Sequence, residues 1–364
     1  MNQPSKLLVI ASSARMLAQL ACDAGFQAFA IDCFGDEDTR KLAGEVVKVA
    51  SLALDDLEQV IESMRERHAL THVVYGSGFE KHAETLDYLE KHWTVLGNTP
   101  TVFRQFQDKP EFFAQLTALS IVFPETVFSA PEDRGDWLLK PMRGEGGMGI
   151  SRYQSDSAIE RGDCYWQRRV KGQAMSVLFL ATQGNVKVLG FNRQWTTTLD
   201  DDHAFIFAGV TNCAELLAAN QSLVSDWLMK LIAVYPLQGL GSLDFILVDG
   251  QCYLLEINPR IPASAQLYGR SIFSLHIGAC QGLLGDAGLP QPKGYQIIYA
   301  RKPMQIPNNV GWPEWAVDRP VSGALIGKGE PICSIISAGK TVGQVEERLR
   351  QQQNFIEKLF KTGL

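Results

Sequence analysis

Residues 239–260, Gly-Leu-Gly-Ser-Leu-Asp-Phe-Ile-Leu-Val-Asp-Gly-Gln-Cys-Tyr-Leu-Leu-Glu-Ile-Asn-Pro-Arg, set two β-forming apolar runs on either side of Asp249-Gly250, a strong hairpin signal. Glu256 and Asn258 are two residues apart, so on a strand they share a face. Whether Asp244 joins them is a question of register. A two-residue turn pairs Asp244 with Leu255 and sends it to the other face, whereas a three-residue loop with a bulge at Gly250 pairs it with Glu256. The bulged form is expected, because opposed carboxylates require a cation or protons between them. Oxygen-only ligands of this kind suit Mg²⁺ holding phosphates. Taken alone the run is also an ordinary hairpin with polar ends, and the Asn258-Pro259-Arg260 that follows favours the site.

The first hundred residues alternate differently. Residues 6–11 read as a buried strand, 15–24 as a helix stopped by Gly25, and 27–32 as a second strand. The pattern continues with strands at 46–49 and 72–75, helices at 55–68 and 80–92, and a short strand before Gly97, which implies a parallel sheet covered by helices. The turn after the first strand, Ala11-Ser12-Ser13-Ala14-Arg15, lacks the Gly-x-Gly-x-x-Gly of a dinucleotide site. Asp32, ending the second strand, is a cap or a ligand to a hydroxyl or amine. Beyond Asn98-Thr99-Pro100 the period changes: helices at 100–107 and 109–119, mostly strands to 211, and long helices at 214–235 and 272–284 flanking the hairpin. After Gly285 come turn-rich sequence, short strands at 295–301 and 331–338, and a charged helix from 341 to the end. The boundaries expected are therefore 1–98, 99–285 and 286–364, the last a small accessory lobe.

Trp137-Leu-Leu-Lys140-Pro-Met-Arg-Gly144-Glu-Gly146-Gly147-Met-Gly149 is a strand, a lysine and a loop with four glycines in six positions. Glycine lets backbone N–H groups close around phosphate oxygens and lets a lid move. No Gly-Lys-Ser/Thr follows, so this is not a Walker A loop. Lys109 opens a helix thirty-one residues earlier, and residues 165–177 form a strand, a break at Gly172 and another strand whose connection can present backbone groups to an adenine edge. The net charge of −6, without a basic run, argues against nucleic acid as a partner, so anionic substrates need local cations such as these lysines. The seven cysteines are scattered without a Cys-x-x-Cys spacing, no apolar run reaches membrane-spanning length, and the N-terminus lacks a signal-peptide core; a cytoplasmic protein is expected.

Taken in order, a lysine, Lys-Pro with a glycine loop, a strand with a glycine break, Leu-Asp-Phe and Glu-Ile-Asn-Pro-Arg, the chain resembles the ATP-grasp superfamily over residues 98–285. Its first domain resembles the one that precedes the grasp in carboxylate-amine ligases. The resemblance implies an α/β protein: a Rossmann-like parallel-sheet domain, a two-lobed α+β ATP-grasp domain and a small C-terminal lobe. It implies ATP and Mg²⁺, with Mn²⁺ as the alternative ion. Lys109, Lys140, Gly144, Gly146, Gly147 and Gly149 would hold the phosphates, Gln167, Arg169 and Val170 would form the adenine hinge, and Asp244, Glu256 and Asn258 would bind the metal. Arg260 would face the transferred phosphoryl, with Lys140 and Arg193 as further catalytic cations. The partners implied are small-molecule carboxylates with amines or thiols, and a homodimer is compatible with it.

Two departures stand out. Arg168 and Arg169 occupy the hinge where many members carry an acid for the ribose, and Gln173 follows Gly172 where glutamate is frequent. The run from Gly327 to Cys333 with Ser337 to Thr341 resembles a lobe of ATP-grasp proteins linked to one-carbon coenzymes. The activity expected is a ligase acting through an acyl phosphate; the alternatives are a phosphotransferase on the same scaffold and a nucleotide-binding module without turnover.

Overall fold

The computed structural model describes residues 5–361 except 134, 154–162, 183 and 201–202. The first four residues and the last three of the expected terminal helix lie outside the described residues.

Buried β-branched and aromatic runs make the first sheet: β1 (Lys6–Ile10), β2 (Gln27–Asp32), β3 (Val46–Lys48), β4 (His72–Tyr75) and β5 (Thr94–Val95), all parallel in the order β3-β2-β1-β4-β5. Helices α1 (Arg15–Asp23), α2 (Glu37–Leu42), α3 (Leu54–His68) and α4 (Ala83–His92) connect them. The helix expected from residue 80 begins three residues later, because Gly78 at φ +106° turns the chain after β4 and leaves Glu80 in that turn. α5 (Pro100–Gln107) and α6 (Lys109–Ala118) follow, each opened by a side-chain cap, Thr99 and Asp108, with proline in the first turn.

A small antiparallel sheet comes next, β6 (Thr126–Val127), β7 (Trp137–Pro141), β8 (Ser151–Arg152) and β9 (Cys164–Arg168), in the order β6-β9-β7-β8. A second sheet is built from β10 (Gln173–Thr182), β11 (Asn185–Thr197), β12 (Ile206–Thr211), β13 (Gly239–Val248) and β14 (Gln251–Asn258), with α7 (Ala218–Val234) on one face. A 3₁₀ turn (Ala263–Leu267) and α8 (Ile272–Cys280) follow the hairpin.

The segment expected as an accessory lobe extends this second sheet. β15 (Lys293–Tyr299) pairs with β12, while β17 (Ala316–Val317) and β19 (Pro331–Ala338) complete the order β14-β13-β10-β11-β12-β15-β19-β17. A short ribbon, β16 (Met304–Gln305) with β18 (Leu325–Ile326), lies beside it, and α9 (Val342–Lys361) packs on β15 and β19. One core joins α1, the underside of the long sheet and α8, so the parallel-sheet domain and the long sheet share buried residues such as Leu17, Leu178 and Phe273. Among the described residues no helix is long and apolar enough to cross a membrane.

Candidate active site

The hairpin turn is tight: Val248 pairs with Gln251, and Asp249 (φ +48°) and Gly250 (φ +78°) both take the left-handed conformations of a two-residue turn. The expected bulge at Gly250 is therefore corrected. The extra residue lies in β14, where Phe245 pairs with Leu254 and Asp244 with Glu256, leaving Leu255 unpaired. Asp244 nonetheless stands opposite Glu256, and Ser242 opposite Asn258. Asn258 Nδ2 donates to Asp244 Oδ2 and to Ser242 Oγ, both at 3.2 Å.

Asp244 Oδ1 is shielded from solvent and has no hydrogen-bond partner among the described residues. Burial, then the facing Glu256, pushes the Asp244 carboxyl up to about 7, against the pull of Arg260, Asn258 and Gln194. An enclosed, unpartnered oxygen beside a second carboxylate fits a hard divalent cation. Among the described residues no three His, Cys, Asp or Glu side chains converge on a metal position. A cation here would take two carboxylates and the Asn258 amide, leaving its other positions to substrate oxygens, as suits Mg²⁺.

Lys140 comes from the other sheet. It is 8 % exposed, its Nζ donates to Gln167 Oε1 at 3.1 Å, and it lies over the Tyr165 ring at 5.7 Å. Burial lowers its pKa, while Glu256 and Asp244, facing it across the gap, work to raise it. Lys109 lies at the start of α6 with Nζ donating to Phe106 O at 3.1 Å. A pocket between the two sheets is lined by Lys109, Gly144, Glu256, Asn258, Gln107 and Glu80.

The glycine loop leans on β12. Gly146, Gly147 and Gly149 have φ of +58°, +80° and +76°, and the Gly146 carbonyl accepts from Phe207 N at 2.8 Å. A Cβ at Gly147 would stand 1.9 Å from Phe205 O, so only glycine fits there. Arg260, beyond the hairpin, donates from Nε to Glu80 Oε1 at 2.8 Å, and its Nη2 lies 4.0 Å from Glu145 Oε2 of the loop. Burial works against ionised Glu80, but Arg260 and a hydrogen bond with Glu145 hold its carboxyl below the ordinary range. Burial and the Glu80 charge push Glu145 up to about 7.

Near the end of β9, Gln167 is buried between Lys140 and Thr126 Oγ1, to which its Nε2 donates at 3.0 Å. Arg168 is spent on Glu125 and Asp133, both at 2.9 Å, and covers the Trp137 ring at 4.1 Å. Arg169 N donates to Asp136 O at 2.8 Å, its guanidinium lies 3.6 Å from the Asp136 carboxylate, and Val170 follows it into the link to β10. Gln173 Nε2 donates to the carbonyls of Ala174 and Gln194.

Arg193 is not brought to this site. It pairs across β10 with Met175, a core residue beneath α7, and its guanidinium meets Glu346 of α9 at 3.2 Å. Its neighbours Asn192 and Gln194 take the face of Asp244, with Asn192 opposite Ser176 and Ser176 opposite Asp244. Glu80, Glu145 and Gln194 were not singled out from the sequence. Glu80 had a signal, since ligands of parallel sheets gather at the carboxyl ends of the strands and it follows β4.

Residues 106–264 match the family model described as an ATP-grasp domain. An uncharacterized protein of Methanocaldococcus jannaschii is 24% identical over 261 residues, 67% of this chain; the match spans 63% of that protein's length. The biotin carboxylase domain of Hydrogenobacter thermophilus 2-oxoglutarate carboxylase, solved with MgADP, ADP and bicarbonate, superposes with a TM-score of 0.73 at 18% identity over 96% of this chain and 90% of that one. An L-amino acid ligase from Bacillus licheniformis gives 0.73 at 16% over 97% and 98%. N5-carboxyaminoimidazole ribonucleotide synthetase from Thermotoga maritima gives 0.68 at 15% over 96% and 98%. At such identities the likeness is one of fold. Residues 106–264, the part that matches the ATP-grasp model, are set between a parallel-sheet domain and C-terminal strands that lengthen the same sheet.

Proposed function

We propose that the protein is an ATP-dependent ligase that joins a small-molecule carboxylate to an amine through an acyl phosphate, releasing ADP and phosphate. The observation that carries this reading is the meeting of Lys140 and the Asp244, Glu256, Asn258 set across one gap, with Lys109 and the glycine loop on the same pocket. Those cations fit a nucleotide triphosphate, and the two carboxylates with Asn258 fit the Mg²⁺ that accompanies it. The metal would supply charge neutralisation at the phosphate oxygens.

The chain's own side chains do the rest. Lys140 and Arg260 stabilise charge developing on the transferred phosphoryl, a role suited to buried, fixed cations. Glu80 holds the Arg260 guanidinium in place. No nucleophilic side chain is required, because the substrate carboxylate attacks the γ-phosphorus and the amine then attacks the acyl carbon. The short motif at residues 327–341 supports a role in making a one-carbon coenzyme, with glutamate or a related amino acid as one substrate.

Glu256→Gln is the direct test. The variant should keep its circular dichroism and melting behaviour while ATP-dependent ADP release falls by about 10²-fold or more. Unchanged turnover sinks the metal assignment. Hydroxylamine added during turnover should trap an acyl hydroxamate; turnover with no hydroxamate and a stable phosphoester product identifies a phosphotransferase instead.

A further inference from the structure

The glycine loop crosses to the parallel-sheet domain at one side chain. Glu145, between Gly144 and Gly146, reaches the turn after β4, where its carboxyl is hydrogen-bonded to that of Glu80. Glu80 is already fixed there, its Oε2 accepting from Gly78 N at 3.0 Å and its Oε1 from Arg260 Nε at 2.8 Å. Arg260 does not bridge the two acids, because its Nη2 stays 4.0 Å from Glu145 Oε2, beyond hydrogen-bond range. That oxygen is enclosed, and no N–H or hydroxyl group among the described residues donates to it. Two carboxylates in contact repel, so one proton must lie between them.

The proton belongs to Glu145. Arg260 and Gly78 N stabilise the Glu80 anion, and Glu145 sits in the field of that anion. Burial first, then the Glu80 charge, push the Glu145 carboxyl up against the pull of Arg260. The neighbouring titratable groups stay neutral: burial and Asp32 push the Cys33 thiol, in the loop after β2, up to about 11, and burial keeps the Tyr75 phenol protonated beside Arg260 and Glu80. Glu256 adds its charge to those holding Arg260 ionised. On its other side the loop is tied to β12 by Phe207 N donating to Gly146 O. That attachment is backbone to backbone and does not titrate. The one to Glu80 does.

We propose that a proton shared between Glu145 and Glu80 latches the glycine loop to the parallel-sheet domain, and that its loss as pH rises frees the loop to open. That the opening governs nucleotide exchange rests on the reading above; the latch itself does not.

Hydrogen exchange separates the two claims. The probes are the Met148 and Phe207 amides, which donate to Glu145 O at 3.0 Å and Gly146 O at 2.8 Å. They are followed by mass spectrometry in the full-length protein without nucleotide, after correction for the intrinsic effect of pH on exchange. With the Glu145 carboxyl at about 7, protection at pH 6 should exceed that at pH 8.5 by about tenfold or more. Glu145→Gln, whose amide donates without titrating, should keep most of its protection at both pH values, and Glu145→Ala should lack it at both. The latch falls if wild-type protection does not change with pH, or if Glu145→Gln loses protection as the wild type does. Mg·AMP-PNP should then leave the wild type faster at pH 8.5 than at pH 6, by a larger factor than it leaves Glu145→Gln. Equal factors remove the role in nucleotide exchange, and a protein that binds no Mg·AMP-PNP overturns the nucleotide reading while the exchange result still decides the latch.

Discussion

Gly147 stands where the glycine loop touches β12, and the carbonyl of Phe205 occupies the space a methyl group would need. Gly147→Ala should therefore push the loop off the strand and raise the apparent KM for ATP. The effect should approach 10²-fold, the cost of an ångström-scale misplacement, with little change in melting temperature because the loop carries no core; steady-state kinetics against a melting curve reads the split. Asp36, buried among carboxylates at the start of α2, gives a second outcome at this scale. A carboxyl whose folded pKa is raised stabilises the fold fully below its unfolded pKa, and the contribution is lost as pH rises through the folded value of about 8. The wild type should lose melting temperature from about pH 4 to pH 8, and Asp36→Asn should show a shallower slope. At the level of single residues the sequence was legible in the placing of side chains, with Glu256 and Asn258 on one face of a strand and Asp244 opposite Glu256. It was not for Arg193, whose side of β11 depends on pairing with Met175, a partner eighteen residues away. The arginine looked more functional than Gln194, which takes the side the arginine does not.

The hairpin shows what pattern can and cannot supply at the scale of elements. Facing Asp244 with Glu256 requires one residue more than a regular hairpin on a two-residue turn allows, and that count was readable. The location of the extra residue was not. Asp249-Gly250 is a good tight turn in its own right, so the irregularity moved to Leu255, inside the strand and against the carboxylates. Gly250→Val puts a branched side chain at a φ of +78° and should destabilise by about 1–2 kcal/mol. Nucleotide affinity should stay within about twofold of wild type, since strand pairing beyond the turn retains the register; denaturant unfolding and calorimetry decide. The joining of residues 293–338 to the long sheet was equally hidden, because β12 and β15 are linked by pairing across some eighty residues of chain and neither strand states its neighbour.

Across the whole molecule, the parallel-sheet domain is fastened to the rest by buried polar contacts. Asn98 donates to Pro259 O at 2.9 Å and accepts from Gln238 N at 2.8 Å, and Arg15 spans to Asp318. Despite burial, Arg15 holds the Asp318 carboxyl below its usual range. Arg15→Ala leaves that carboxylate enclosed without its counter-ion, and should cost about 3–5 kcal/mol by denaturant unfolding. His276 adds a pH-dependent fastening: its Nδ1 accepts from Leu240 N at 2.9 Å and its other ring nitrogen meets Leu96 O at 3.0 Å. Burial depresses its pKa to about 4, so its contribution is present above the unfolded value near 6.5 and is lost as pH falls through about 4. His276→Gln should remove that part of the acid slope.

The bulge at Leu255 also separates two parts of one hairpin that are usually bound together. With the irregularity beside Asp244 and Glu256, the exposed tip at Asp249 and Gly250 carries no part of their pairing. A reporter dye attached at Asp249 through an introduced cysteine would ride on the same hairpin as Asp244 and Glu256 without touching them. It offers a handle for watching nucleotide arrive at the neighbouring pocket.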